Sequence, residues 1–106
     1  MTATASVSGF PTDRFLFLGF PPVKNKRKKF FEEVVESKYP VIIFESPYRI
    51  LKTLAELKNT DKDLKIVVCR ELTKKFETIY RGNIEKVIKD LQNDKIKGEF
   101  TIIIQP

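Results

Sequence analysis

The chain of 106 residues predicts an α/β fold. Short β-type apolar runs alternate with stretches of helical periodicity, giving the order β-α-β-α-β-β-α-β. Strands that alternate with helices imply a layered sheet with at least some parallel pairing. Chain breakers fall between these stretches, at Pro21-Pro22, Pro40 and Gly82-Asn83. A hydrophobic fraction of 42% with nine Phe supports a buried core and argues against disorder.

Residues 1–12 read as a linker or tail ending in the turn signal Gly9-Phe10-Pro11, and residues 13–106 as one domain. Arg14 to Phe20 is apolar and aromatic and is expected to be a buried strand, stopped by Pro21-Pro22 because proline has no ladder donor. A basic loop, Val23 to Lys29, runs into a helix whose Phe30, Phe31, Val34 and Val35 share one face while Glu32, Glu33 and Glu36 point outward. Pro40 ends that helix, and Val41 to Phe44 forms the second strand. Ser46 followed by Pro47 predicts a helix start, with a hydroxyl cap and proline at the first helical position. Ile50, Leu51, Leu54 and Leu57 give that helix its buried face. After a polar turn at Asn59 to Asp63, Leu64 to Arg70 is a third strand and Glu77 to Arg81 a short fourth one. Gly82-Asn83 caps a third helix carrying Ile84, Val87, Ile88 and Leu91. Asn93 to Gly98 turns the chain into a last strand, Glu99 to Gln105.

Composition narrows the chemistry. One cysteine and no histidine exclude an intrachain disulfide and any Cys/His zinc site, and remove the usual base for neutral pH. Cys69, inside Ile66 to Cys69, reads as a small buried hydrophobe. No metal is expected. The apolar runs are too short to cross a bilayer, and the start lacks a signal-peptide pattern, so a soluble cytoplasmic protein is expected. There are 20 basic and 14 acidic residues, a formal charge of +6, so a polyanionic partner is plausible.

Three strings set charged residues against β-type runs: Ser8 to Phe20, Phe44 to Arg49 and Arg70 to Lys74. No Rossmann glycine fingerprint or P-loop accompanies them. Glu45 stands between a strand and a helix start. It could complement the helix macrodipole, worth about 0.3–1 kcal/mol, or help backbone N–H groups hold a polar ligand. Arg70 and Glu71 are neighbours on a strand and point to opposite faces, so one can line a cleft while the other is solvated. Asp13 could cap its turn, and Arg14 could pair with Glu45 or Glu71 or face a phosphate. Lys24 to Lys29 holds five basic residues in six positions. Positive charge before a helix N-terminus is unfavourable by itself, and such clusters contact nucleic-acid phosphates without reading sequence. Phe30 and Phe31 read as core rather than base-stacking platforms. A unit of this size without a glycine loop fits a crevice completed by another domain.

SGFPTDRFLFLGFPP, IIFESPYR, CRELTKKFETIYRGNI and KGEFTIII occur here in order. Together, over about Ser8 to Ile104, they resemble the C-terminal half of the small-subunit ribosomal RNA methylases of the tetrapyrrole methylase family. The resemblance implies a mixed β-sheet of about five strands with flanking helices. It implies an S-adenosyl-L-methionine-dependent enzyme, a homodimer when complete, that methylates the ribose 2′-hydroxyl of a cytidine in 16S rRNA of the small ribosomal subunit. The glycine-rich cofactor motifs belong to an N-terminal domain absent here, so the chain is expected to be a truncated piece or the product of a split gene, with truncation favoured, and inactive alone.

Under the resemblance, Phe44, Glu45, Ser46, Arg70 and Gly98 contact the cofactor. Glu45, Arg70 and Glu71 are the catalytic candidates, and Arg14, Lys24, Lys26, Arg27, Lys28 and Lys29 the RNA-binding ones. Tyr48 stands where the family usually has histidine, and cannot titrate near neutrality. Two other readings stay open: a methylase of tetrapyrroles or another small substrate, and a non-catalytic RNA-binding or dimerisation module.

Overall fold

The computed structural model describes residues 15–72 and 75–105. It follows the expected order: β1 Leu16–Gly19, α1 Arg27–Glu36, β2 Val41–Glu45, α2 Ile50–Thr60, β3 Lys65–Leu72, β4 Lys75–Asn83, α3 Ile84–Gln92 and β5 Glu99–Gln105. The five strands form one mixed sheet in the order β1-β2-β5-β3-β4. β1 and β2 are parallel, joined by the α1 crossover, and the other neighbours are antiparallel. The last strand therefore inserts at the centre. Its five consecutive buried residues, Phe100 to Ile104, suit a strand covered on both faces.

Registers sort the core. Val41, Ile104 and Ile66 stand in one row and Ile43, Ile102, Val68 and Tyr80 in the next. Against them pack Phe31 and Val34 of α1, Ile50, Leu54 and Leu57 of α2, and Ile84, Val87 and Leu91 of α3. All three helices thus cover one face of the sheet. On the other face Ile42, Ile103 and Val67 form a buried row with Cys69 beside it, and Phe15 packs on them. Glu32, Glu33 and Glu36 are exposed, as the helical spacing requires.

Four local expectations need correction. The first strand lies at the sheet's edge, not buried: Leu16 is 39% and Phe17 50% exposed. Apolar character marks a strand but does not say whether it has one neighbour or two. The fourth strand runs the whole length of β3, from Leu72 opposite Lys75 to Lys65 opposite Asn83, with a bulge between Arg70 and Glu71. The second helix begins at Ile50 after Arg49, without a side-chain cap. Ser46 does not cap it. Its carbonyl instead accepts from the N–H groups of Arg49 and Ile50, forming an intervening turn. The first helix begins at Arg27, following Lys26 in the left-handed region at φ 68°. By contrast, Asn83 caps α3 as expected, its side chain accepting from the Glu85 N–H at 2.9 Å. The linker, Asp13, Arg14 and Lys74 lie outside the described residues.

Candidate functional site

β1 and β2 finish at one end of the sheet, where β3 also finishes and β5 begins. The described parts of the three strings, scattered along the chain, meet there through Phe20, Phe44, Glu45, Arg70 and Glu71. Glu45, Phe100, Arg70 and Thr78 form the last complete row on the helix-covered face. Glu71 and Glu99 stand opposite each other on adjacent strands, with side chains on the other face. A cavity of about 270 Å³ opens at this end, lined among the described residues by Phe20, Phe44, Glu45, Glu71, Glu99, Phe100 and Thr101. Phe44 braces its aromatic wall, 5.2 Å edge-on from Phe17 and 5.6 Å from Phe20 between ring centroids.

Glu45 is only 2% exposed, and both its oxygens are engaged. Oε1 accepts from the Ser46 N–H at 2.9 Å, and Oε2 accepts from the Thr53 hydroxyl at 2.6 Å. Thr53 Oγ1 in turn accepts from Arg27 Nη2 at 3.1 Å. Arg27 also donates through Nη1 to the Pro22 carbonyl at 2.6 Å and through Nε to the Glu56 carboxylate at 3.0 and 3.2 Å. Its guanidinium lies 5.2 Å from the Phe31 ring centroid. Burial demands such partners, since an uncompensated charge out of water is costly.

Arg70 belongs to a second cluster. Nη1 donates to the Lys95 carbonyl at 2.7 Å and Nη2 to Thr78 Oγ1 at 2.8 Å, while Nε is buried without a hydrogen-bond partner. The Tyr80 hydroxyl donates to Asp94 Oδ2 at 2.5 Å, and Asp94 Oδ1 accepts from the Lys95 N–H at 2.8 Å. The Tyr80 hydrogen bond, helped by the Lys95 N–H, holds the Asp94 carboxyl below its ordinary range. Burial first, and then the bond to Asp94, push the Tyr80 hydroxyl up. These contacts fasten the segment leading to Gly98, whose φ of +83° makes the turn into β5.

Among the proposed cofactor and catalytic residues, the structure brings Phe44, Glu45 and Glu71 together at the cavity. Arg70 and Glu71 do separate to opposite faces, and it is Glu71 that lines the cavity. Arg70 anchors the Lys95 segment, Ser46 supplies a backbone donor to Glu45, and Gly98 shapes the turn; none of the three lines the cavity. Tyr48 is 95% exposed and is absent from the lining too. Sequence reasoning missed Phe20, Glu99, Phe100 and Thr101 as lining residues. All four sit inside strings it had singled out, but only the central placement of β5 brings Phe100 and Thr101 against β2 and Glu99 against β3.

The basic run also divides. Lys24, Lys26, Lys28 and Lys29 are exposed, with no acidic residue in the first turn of α1. Arg27 does not join them as a surface cation: it is 8% exposed and committed to its three acceptors. A second cavity, of about 420 Å³, lies between α1 and α2, lined by Lys28, Phe31, Glu32, Glu56, Asn59 and Thr60. Among the described residues no helix is long and apolar enough to cross a membrane.

Comparison with known proteins adds three findings. The family model for Tetrapyrrole (Corrin/Porphyrin) Methylases matches residues 1–88. The chain is 41% identical over 99 residues to the Ribosomal RNA small subunit methyltransferase I of Hydrogenobaculum sp. (strain Y04AAS1), covering 92% of this chain and 43% of that protein. It is 31% identical over 104 residues to the protein of the same name from Thermotoga maritima, covering 98% and 47%. The chain thus spans less than half the length of these relatives. Its fold matches the X-ray structure of the cobalamin biosynthetic enzyme cobalt precorrin-4 methyltransferase, with a TM-score of 0.66 at 18% identity, over 97% of this chain and 47% of that one.

Proposed function

Because the chain belongs to the tetrapyrrole methylase family, we propose that it is the C-terminal part of an S-adenosyl-L-methionine-dependent methyltransferase acting on the ribose 2′-hydroxyl of a cytidine in 16S rRNA. The observation that carries this reading is that described residues from all four family-like strings line one cavity at the sheet's end. The lining suits the cofactor's chemistry. Phe20 and Phe44 offer apolar faces to a flat base and to a cation, and Glu71 and Glu99 add negative charge for a sulfonium and an ammonium. About 270 Å³ falls below the roughly 300–1,000 Å³ of complete ligand pockets. In this reading the chain supplies one wall of the cofactor cleft and an N-terminal domain the other, in keeping with a chain that spans less than half the length of its relatives.

When bound, S-adenosyl-L-methionine contributes the electrophilic methyl group. The chain's own part is positional: it holds the aromatic wall and the carboxylates so that the acceptor hydroxyl can align, a kind of control worth up to about 7–11 kcal/mol for ideal alignment. Glu45 and Arg70 serve architecture here, and Glu71 is the carboxylate best placed to touch a ligand. The exposed Lys24, Lys26, Lys28 and Lys29 supply phosphate contacts for the RNA. The name borne by the relatives, which specifies small-subunit ribosomal RNA, supports that substrate over a tetrapyrrole.

The test is calorimetric titration of S-adenosyl-L-methionine into this chain, alone and joined to the N-terminal half of the Hydrogenobaculum relative. The isolated chain should bind weakly and the joined protein tightly. Low-micromolar binding by the chain alone would overturn the shared-cleft reading. For RNA, neutralising the four lysines should lower the slope of log affinity against log salt by about 0.7 per lost contact on single-stranded RNA. An unchanged slope would reduce the run to a solvated surface.

A further inference from the structure

We infer that Arg27 is a positioning residue for the cavity at the sheet's end: it fixes the Phe20–Pro22 wall relative to Glu45 and thereby sets affinity for the ligand. This rests on the reading of that cavity as part of the cofactor site.

The connection is continuous in the structure. Pro22 lies two residues past Phe20, which lines the cavity. Its carbonyl accepts from Arg27 Nη1 at 2.6 Å. Arg27 Nη2 donates to Thr53, and the Thr53 hydroxyl donates to Glu45, which also lines the cavity. Arg27 Nε grips Glu56 of α2, which keeps the fork from rotating. One guanidinium thus ties the segment after β1, helix α1 and helix α2 to the end of β2. Pro21 and Pro22 each have φ locked near −65°, so fixing the Pro22 carbonyl also fixes the path of the chain from Phe20. The Phe20 ring, packed 5.6 Å from Phe44, is held accordingly.

Residue type supports the role. Four neighbours in the basic run are lysines, exposed to solvent, while the buried position holds the only arginine among them. Lysine's ammonium is a point charge and cannot present a planar fork to three acceptors at fixed angles. A buried ion pair contributes little to stability compared with apolar groups of the same size. Geometry is what the fork provides and an apolar side chain would not.

The experiment compares Arg27→Lys with the parent in two settings. In this chain, the backbone amide resonance of Phe20 reports the wall, and that of Ser46, whose N–H bonds Glu45, reports the carboxylate. In the chain joined to the N-terminal half of the Hydrogenobaculum relative, methyl transfer to small ribosomal subunits gives KM for S-adenosyl-L-methionine and kcat. The expected result is a shifted Phe20 amide, KM raised about tenfold and kcat within about twofold, the split produced by a misplaced binding wall. A loss of folded enzyme would instead lower kcat and leave KM alone. Unmoved resonances, or an unchanged KM, would overturn the inference. Phe44→Ala and Glu71→Gln separate the two failures. If they raise KM while Arg27→Lys does not, only the positioning role falls; if none raises KM, the cavity is not the cofactor site. Should Arg27→Lys fail to fold, Thr53→Val breaks the same connection one bond further on and is read by the same outcomes.

Discussion

Replacing Thr53 by valine removes one hydroxyl while nearly keeping the side chain's shape, and it takes a hydrogen bond from two charged groups at once. Thr53 is fully buried, between Glu45 at 2% and Arg27 at 8% exposure. Its hydroxyl donates 2.6 Å to Glu45 and accepts 3.1 Å from Arg27. A hydrogen bond to a charged group contributes about 1.5–3 kcal/mol. Glu45 retains the Ser46 N–H, and Arg27 retains Pro22 and Glu56, so the lower end applies to each. The total is a loss of roughly 3 kcal/mol, offset by up to about 0.8 kcal/mol for the extra apolar group. For a small domain whose stability is about 5–15 kcal/mol, that is a large fraction. Urea unfolding should show a lower midpoint with an unchanged m value, meaning that stability and not compactness has changed. Thr60→Val is the control: its hydroxyl bonds only the Glu56 carbonyl at an exposed position, and it should stay within about 0.5 kcal/mol. A Thr53→Val loss no larger than the control would refute the claim that this hydroxyl joins two buried charges. A cycle with Arg27→Met adds a second check, since residues in one network should couple by about 0.5–3 kcal/mol.

Other expectations follow from the same geometry. Glu71 and Glu99 oppose each other with like charge, so Glu99→Gln should raise the stability of the isolated chain by about 0.2–1 kcal/mol, read from its urea midpoint; destabilisation would mean the repulsion is already relieved. Burial pushes the Cys69 thiol up to about 11, against a smaller pull from Arg81, so thiol reagents at pH 8 should label it only as fast as the chain unfolds. Rapid labelling of the native chain would contradict that. Asp94 is depressed below its ordinary 3.8, so its contribution is present above that value and lost as pH falls through the lower folded one. Tyr80 is raised above 10.0, so its contribution is present below that value and lost as pH rises through the higher folded one. The stability gap between parent and Tyr80→Phe should therefore be level across neutral pH and narrow at both extremes. A gap that does not narrow as pH falls well below Asp94's ordinary 3.8 would show that the bond to Asp94 is not its source.

What the sequence determined by itself was local. Phe31 and Val34, Ile50 with Leu54 and Leu57, and Ile84 with Val87 and Leu91 recur at helical spacing, and each group does face the sheet. Asn83 caps its helix and Cys69 is buried, because a side-chain amide beside a helix start and a thiol inside an apolar run have few other favourable places. The resemblance carried the family, and with it a mixed sheet. Only the tertiary structure decided which elements meet. No local pattern states that β5 enters between β2 and β3, yet that placement sets Glu99 against Glu71 and Phe100 beside Glu45. Arg27 shows the same limit at one residue. In sequence it is one cation in a basic run, indistinguishable in charge from its neighbours. In the fold its fork meets acceptors at Pro22, Thr53 and Glu56, separated from it by 5, 26 and 29 residues. Burial of a charge depends on partners gathered from distant segments, and spacing along the chain does not encode them.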